Sequence, residues 1–130
     1  MPASVIPITA RRRGVYVVLE AALPERLPQP IGVLVIDLES DRLWVRMRQS
    51  YDNLAEPEDA EVLEALEADI RARAAEMGAE QYIASLEDSL SNALRVGERH
   101  SVTVDSFTRV ADRLYAEHIE PHEAYTGGRG

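Results

Sequence analysis

The chain of 130 residues carries 14 basic and 23 acidic side chains, a net charge of −9, and is 45% hydrophobic. That length supports one domain able to bury about two-thirds of its unfolded surface, and the composition excludes a disordered tail or a low-complexity repeat. Cysteine is absent and every basic residue is an arginine. Disulfides, thiolate metal sites, cysteine nucleophiles, Schiff-base chemistry and the lysine of a phosphate-cradling loop are therefore excluded.

Met1 to Arg13 contains two prolines and ends in three arginines before Gly14, which reads as a flexible arm. It lacks the charged and long apolar regions of an export signal, and the apolar runs are too short to span a bilayer, so a cytoplasmic protein with no membrane association is expected. Val15–Leu19 is β-branched and aromatic, as strands are. Pro24, Pro28 and Pro30 interrupt regular structure, since each lacks an N–H and restricts the residue before it. Ile31–Leu38 is almost continuously apolar, the mark of a strand covered on both faces. After a polar turn at Glu39–Asp41, Arg42–Arg48 alternates strictly. Leu43, Val45 and Met47 fall on one face; Arg42, Trp44, Arg46 and Arg48 fall on the other.

The period then changes. Pro57 suits a first helical position, and the acids after it suit the positive end of a helix dipole. Val62, Leu63, Leu66, Ile70, Ala74 and Met77 recur at helical spacing as far as Gly78, a natural stop. A second helix is expected over about Glu80–Val96, with a stripe of Ile83, Leu86, Leu90, Ala93 and Leu94. Asp88, Ser89, Ser91 and Asn92 form its polar outer side. His100–Val104 alternates like a short strand. A third helix, capped by Asp105 or Ser106, shows the face Phe107, Val110, Ala111, Leu114, Tyr115 and Ile119 and is closed by Pro121.

These elements predict an α+β domain over residues 14–120, a small antiparallel sheet of three to four strands with three amphipathic helices packed on it, followed by a flexible tail at 121–130. Three such helices carry more apolar surface than one small sheet face covers. Either they also pack on one another or the domain forms a homodimer.

Charge is unevenly spread. Residues 1–48 carry a net +2 and residues 49–130 a net −11, and the eighteen residues Asp52–Asp69 hold eight acids and no base. Such a run fits either a solvated helix face or a surface that recruits a basic partner. Glu58, Asp59, Glu61, Glu64 and Glu67 are the candidate partner-binding residues. On the strand, Arg42, Trp44, Arg46 and Arg48 offer guanidinium forks and a π-face, a candidate contact for a small ligand or nucleic acid. The negative total works against nucleic acid.

Catalytic patterns are missing. His118 and His122 are four apart, but Pro121 lies between them and no third ligand is placed, so no metal is expected. His100 and Ser101 are neighbours in a strand and point to opposite faces. No serine occupies a nucleophile elbow, no glycine-rich phosphate loop occurs, and no carboxylate pair has a reason to be buried. No cofactor is expected.

The pieces Val15–Glu20, Ile31–Leu34, Asp41–Arg46, Leu86–Asn92 and Arg113–His118 resemble an N-terminal region found in some bacterial LexA-like repressor proteins from high-GC genomes. In those proteins a self-cleaving Ser/Lys peptidase domain follows. This chain has no lysine, and none of the peptidase's catalytic residues is carried over. The first strands and last helix are more distantly similar to a bacterial domain family of unknown function whose genes accompany HipA-like kinases. Both resemblances imply a regulatory or accessory context.

The resulting expectation is a non-enzymatic protein-interaction module in a bacterial regulatory, stress or defence system, with a protein partner of unknown identity. The alternative is small-ligand or nucleic-acid binding through the Arg/Trp face. A small hydrolase using His100 or His118 with nearby carboxylates is a third reading.

Overall fold

The computed structural model describes residues 12–22, 27–49, 57–88 and 94–121. In chain order these form β1 (Arg12–Ala21), β2 (Gln29–Asp37), β3 (Arg42–Met47), α1 (Pro57–Glu64), α2 (Leu66–Met77), α3 (Ala79–Asp88), β4 (Leu94–Val96), β5 (His100–Val104) and α4 (Phe107–His118). All strand pairings are antiparallel, in the order β3-β2-β1, with β4 and β5 sharing the far side of β1. The protein is an α+β domain.

The continuous apolar run does become a strand buried on both faces. Every residue from Ile31 to Asp37 is buried. Leu34 and Ile36 face one layer with Val17, Leu19, Val45 and Met47, against Leu63, Ile70, Ala74, Tyr82 and Ile83 of the first three helices. Val33 and Val35 face the other layer, against Phe107, Val110, Ala111, Leu114 and Tyr115 of α4 and the following Ile119. The apolar surplus read from the sequence is thus absorbed by a second sheet face. Burial of large aliphatic and aromatic side chains contributes about 1.5–3 kcal/mol each.

Several boundaries differ from the sequence reading. Arg12 and Arg13 belong to β1, where they pair with Val104 and Thr103. β2 starts at Gln29, so Pro30 lies inside a strand, at the point where the register slips by one residue; such irregularities tolerate a missing N–H. The helix expected over 57–77 divides at Ala65. Val62 and Met77, placed in its apolar stripe by spacing, are 69% and 39% exposed.

The largest change is at the second helix, which ends at Asp88, while Leu94–Val96 pairs with Leu19–Ala21 as a strand. The hydrophobicity of Leu94 and Val96 is spent on the same core, reached from the sheet edge. Between Leu19↔Val96 and Tyr16↔His100 the edge carries one more residue than β1, a bulge at Gly97–Arg99. The last helix matches its expected face in full, and Ser106 caps it by accepting the Arg109 N–H at 3.3 Å. The arm before Arg12, the tail after Pro121, and Leu90 and Ala93 lie outside the described residues.

One contact ties the β2–β3 turn to the helical layer. Asp41, at φ 56°, accepts the Glu80 N–H on its Oδ1 at 2.8 Å and the Ala79 N–H on its carbonyl at 3.3 Å. A residue 39 positions upstream thus caps α3. Gly78, at φ 92° and ψ 148°, makes this possible: that backbone region belongs to glycine, and a Cβ there would collide with the Asp41 carboxylate. Gly78→Ala is expected to lower the unfolding free energy by about 2 kcal/mol in urea denaturation, more than the roughly 1 kcal/mol expected for Asp41→Ala. A Gly78→Ala variant as stable as the parent would remove this joint from the account.

Candidate functional site

The acidic run supplies α1 and the first turn of α2. Glu61 and Glu64 are exposed, with Val62 exposed between them. Of Glu58 and Asp59 only the helical backbone is described. Glu67 behaves differently. Its Oε2 accepts two hydrogen bonds from Arg71, from Nη2 at 2.8 Å and Nε at 3.2 Å, while Arg71 Nη2 also donates to the Val45 carbonyl at 3.1 Å. Glu67 therefore steadies an arginine that caps the sheet edge, and only part of the acidic set is left facing outward.

The Arg/Trp face of β3 does not lie open, because α4 covers it. Trp44 stacks on Phe107 with ring centroids 4.3 Å apart and an interplanar angle of 16°. The Arg46 guanidinium lies 4.2 Å from the centre of the Tyr115 ring and donates from Nε to Asp112 Oδ1 at 3.2 Å. Arg42 sits 5.1 Å over Trp44 and is exposed. Arg48 is buried. The polar side of the alternation is met by a helix laid across it, with Arg42 resting on Trp44 and Arg46 on Tyr115 beside the Asp112 carboxylate.

Two histidines that the sequence keeps 18 positions apart meet at one tyrosine. Tyr16 on β1 stacks on His100 of β5 at 5.1 Å, and lies 5.6 Å from His118 at the end of α4. Tyr16 Oη and His118 Nε2 share a hydrogen bond at 3.4 Å. His100 arrives as the cross-strand partner of Tyr16. No spacing rule links these three residues, because the strand register and the helix end together place them. His122 lies outside the described residues, and among those described no group of three or more metal-capable side chains occurs.

Carboxylates that sequence reasoning passed over are the most strongly held. Asp37 is 1% exposed at the end of β2. Burial alone pushes its carboxyl up. The Ser40 hydroxyl at 2.7 Å, the Glu39 N–H at 3.0 Å and the Arg12 guanidinium at 3.1 Å outweigh that and hold it below the ordinary carboxylate range. Asp37 thereby fixes the turn. Arg99, projected by the edge bulge, grips Glu87 with Nε at 2.8 Å and Nη2 at 2.9 Å, and Glu80 with Nη1 at 2.8 Å. The Arg99 hydrogen bonds lower the Glu87 carboxyl against the opposing effect of burial. This clasp joins β4–β5 to α3 and serves the fold.

Two outcomes follow. Asp37 titrates lower in the folded chain than in the unfolded one, so its contribution to stability is full above the ordinary carboxylate range, near pH 4, and shrinks as the pH falls through that range toward its folded value. Chemical denaturation of the parent and of Asp37→Asn at a series of pH values should give a gap that is widest at neutral pH and narrows in acid; a gap independent of pH would exclude this role. Trp44 is the single tryptophan. With its ring held against Phe107, single-stranded oligonucleotides are expected to leave its emission unchanged, and a saturable quench would reopen the Arg/Trp face as a contact.

Among the described residues no helix is long and apolar enough to cross a membrane. No family model, no curated protein and no solved structure matches the chain.

Proposed function

We propose that the protein is a non-enzymatic interaction module in a bacterial regulatory, stress or defence system, and that a basic partner protein docks on the outward face of α1. The observation that carries this reading is Val62. A large aliphatic side chain 69% exposed follows the exposed Glu61 directly in the sequence, and Glu64, two positions on, is exposed as well. A solvated acidic helix has no need of valine at that position, whereas a docking surface gains apolar area from it and charge complementarity from its neighbours. Ala65 and Ala68, just after α1, are exposed as well. The eight acids of Asp52–Asp69, with no base among them, supply the long-range attraction for a basic segment.

Other polar features support the same division of labour. Trp44, Arg46, Asp37 and the Glu80–Arg99–Glu87 clasp hold the fold together. The regulatory setting rests on the resemblance to the LexA-like N-terminal region.

The test is affinity purification from the native cells, with the mass of each stoichiometric companion determined, using the parent and an E61R/E64R variant as baits. A basic protein retained by the parent and reduced at least tenfold by the variant is expected, with an unchanged far-UV CD spectrum. Val62→Asp should weaken capture as well. Equal capture by all three baits, or a chain that comes out alone, would refute the assignment.

A further inference from the structure

The ladder between β2 and β3 has a fixed phase. The Arg48 N–H donates to the Ile31 carbonyl at 2.9 Å, so Arg42, Trp44 and Arg46 turn their backbone groups toward β2. Leu43, Val45 and Met47 turn theirs to the open edge. Two of those outward carbonyls are capped from within the protein, Val45 by Arg71 Nη2 at 3.1 Å and Met47 by Arg46 Nη1 at 3.0 Å. Leu43 is the exception. Among the described residues its outward N–H and C=O have no partner. An exposed strand edge is a template for another chain, and along this one Leu43 alone, among the described residues, leaves both its outward N–H and its outward C=O without a partner.

Beside that residue lies a groove between β3 and α2. It has a volume of about 320 Å³, an apolar floor of Leu43, Ala74, Ala75 and Gly78, and a rim of Asp41, Arg42 and Arg71. The rim carboxylate is already engaged, since Asp41 Oδ1 accepts the Glu80 N–H and its other oxygen packs against Gly78. Arg71 is neutralised by Glu67. Arg42 is exposed and, among the described residues, has no carboxylate within ion-pair distance. Its guanidinium lies on the opposite side of the strand from the groove, over Trp44.

We propose that this edge binds an extended peptide segment by strand addition, with small apolar and acidic side chains in alternation. The pattern follows from the pleat. A residue paired with Leu43 sends its side chain into the groove against Ala74 and Ala75, where a small apolar group fits. Its neighbours in the added strand point to the other side, next to Arg42, where opposite charge is favoured across strands. The Leu43 N–H and C=O supply the main-chain hydrogen bonds. The Arg71 cap at Val45 ends the pairing and so sets its register. This surface is separate from the acidic face of α1 and does not depend on it.

The probe is a fluorescein-labelled, terminally blocked heptapeptide of alternating valine and glutamate, titrated against the full chain by fluorescence anisotropy. A saturable rise is expected, weakened at least tenfold when the central peptide nitrogen is methylated and when Ala75→Glu places a carboxylate in the groove. Ala75 is solvent-exposed on α2, so this variant keeps its fold. Arg42→Gln should weaken the glutamate peptide several-fold and leave a valine/serine peptide unaffected. In amide hydrogen exchange the Leu43 N–H should exchange freely in the free protein and become protected in the complex.

Equal binding of a valine/lysine peptide, a Leu43 amide left unprotected under saturating peptide, or no binding at millimolar peptide would each overturn the proposal. So would a dimer mass in light scattering that Ala75→Glu converts to monomer, because a second copy would then be the occupant.

Discussion

Because β2 is flanked by strands on both sides and carries apolar side chains on both faces, it can exist in water only inside a sandwich. Ile31, Leu34 and Ile36 require one cover, and Val33 and Val35 require another. This constraint sorts the helices. α4, with the most sharply defined apolar face, takes the Val33/Val35 side alone, and the three earlier helices share the other. The remaining architecture is a set of devices that hold these two covers in place around one strand.

Those devices are mostly arginines, which matters in a chain without lysine. A guanidinium is planar and permanently charged, with five donors in a fixed fork, so it can serve two acceptors at once or lie flat on a ring. Arg99 grips two carboxylates of α3 from the edge bulge, Arg71 joins Glu67 to the Val45 carbonyl, and Arg46 lies on Tyr115 while bonding Asp112. Exposed ion pairs contribute at most about 1 kcal/mol each. Their importance here is directional, because each fixes the position of one element against another. The acids of α1 that face outward stand apart from this scheme.

Much of the fold was legible along the chain. The near-continuous apolar run of β2, the strict alternation of β3 and the six-residue face of α4 each express a local period, and each appears where that period places it. Leu94 and Val96 form a strand where spacing places the end of a helix, because a short apolar stretch fits a helix stripe and a strand equally well. The free edge of β1 at Leu19–Ala21 decides between them. Val62 shows the reverse limit, since periodicity counts an apolar residue as inward whether or not a partner surface exists.

The sequence by itself determined the class of the domain, the exclusion of thiol and lysine chemistry, the core face of α4 and the separation of charge between the two halves, because these depend on residue type and local spacing. Tertiary structure alone decided that the Arg/Trp face of β3 is roofed by α4, that Glu67 is bound to Arg71, that Tyr16 gathers His100 and His118, and that Asp41 caps a helix 39 residues away. Each of these turns on which strand edge or sheet face a distant segment reaches. That is set by the competition of all segments for the same buried surface, a quantity no local pattern contains.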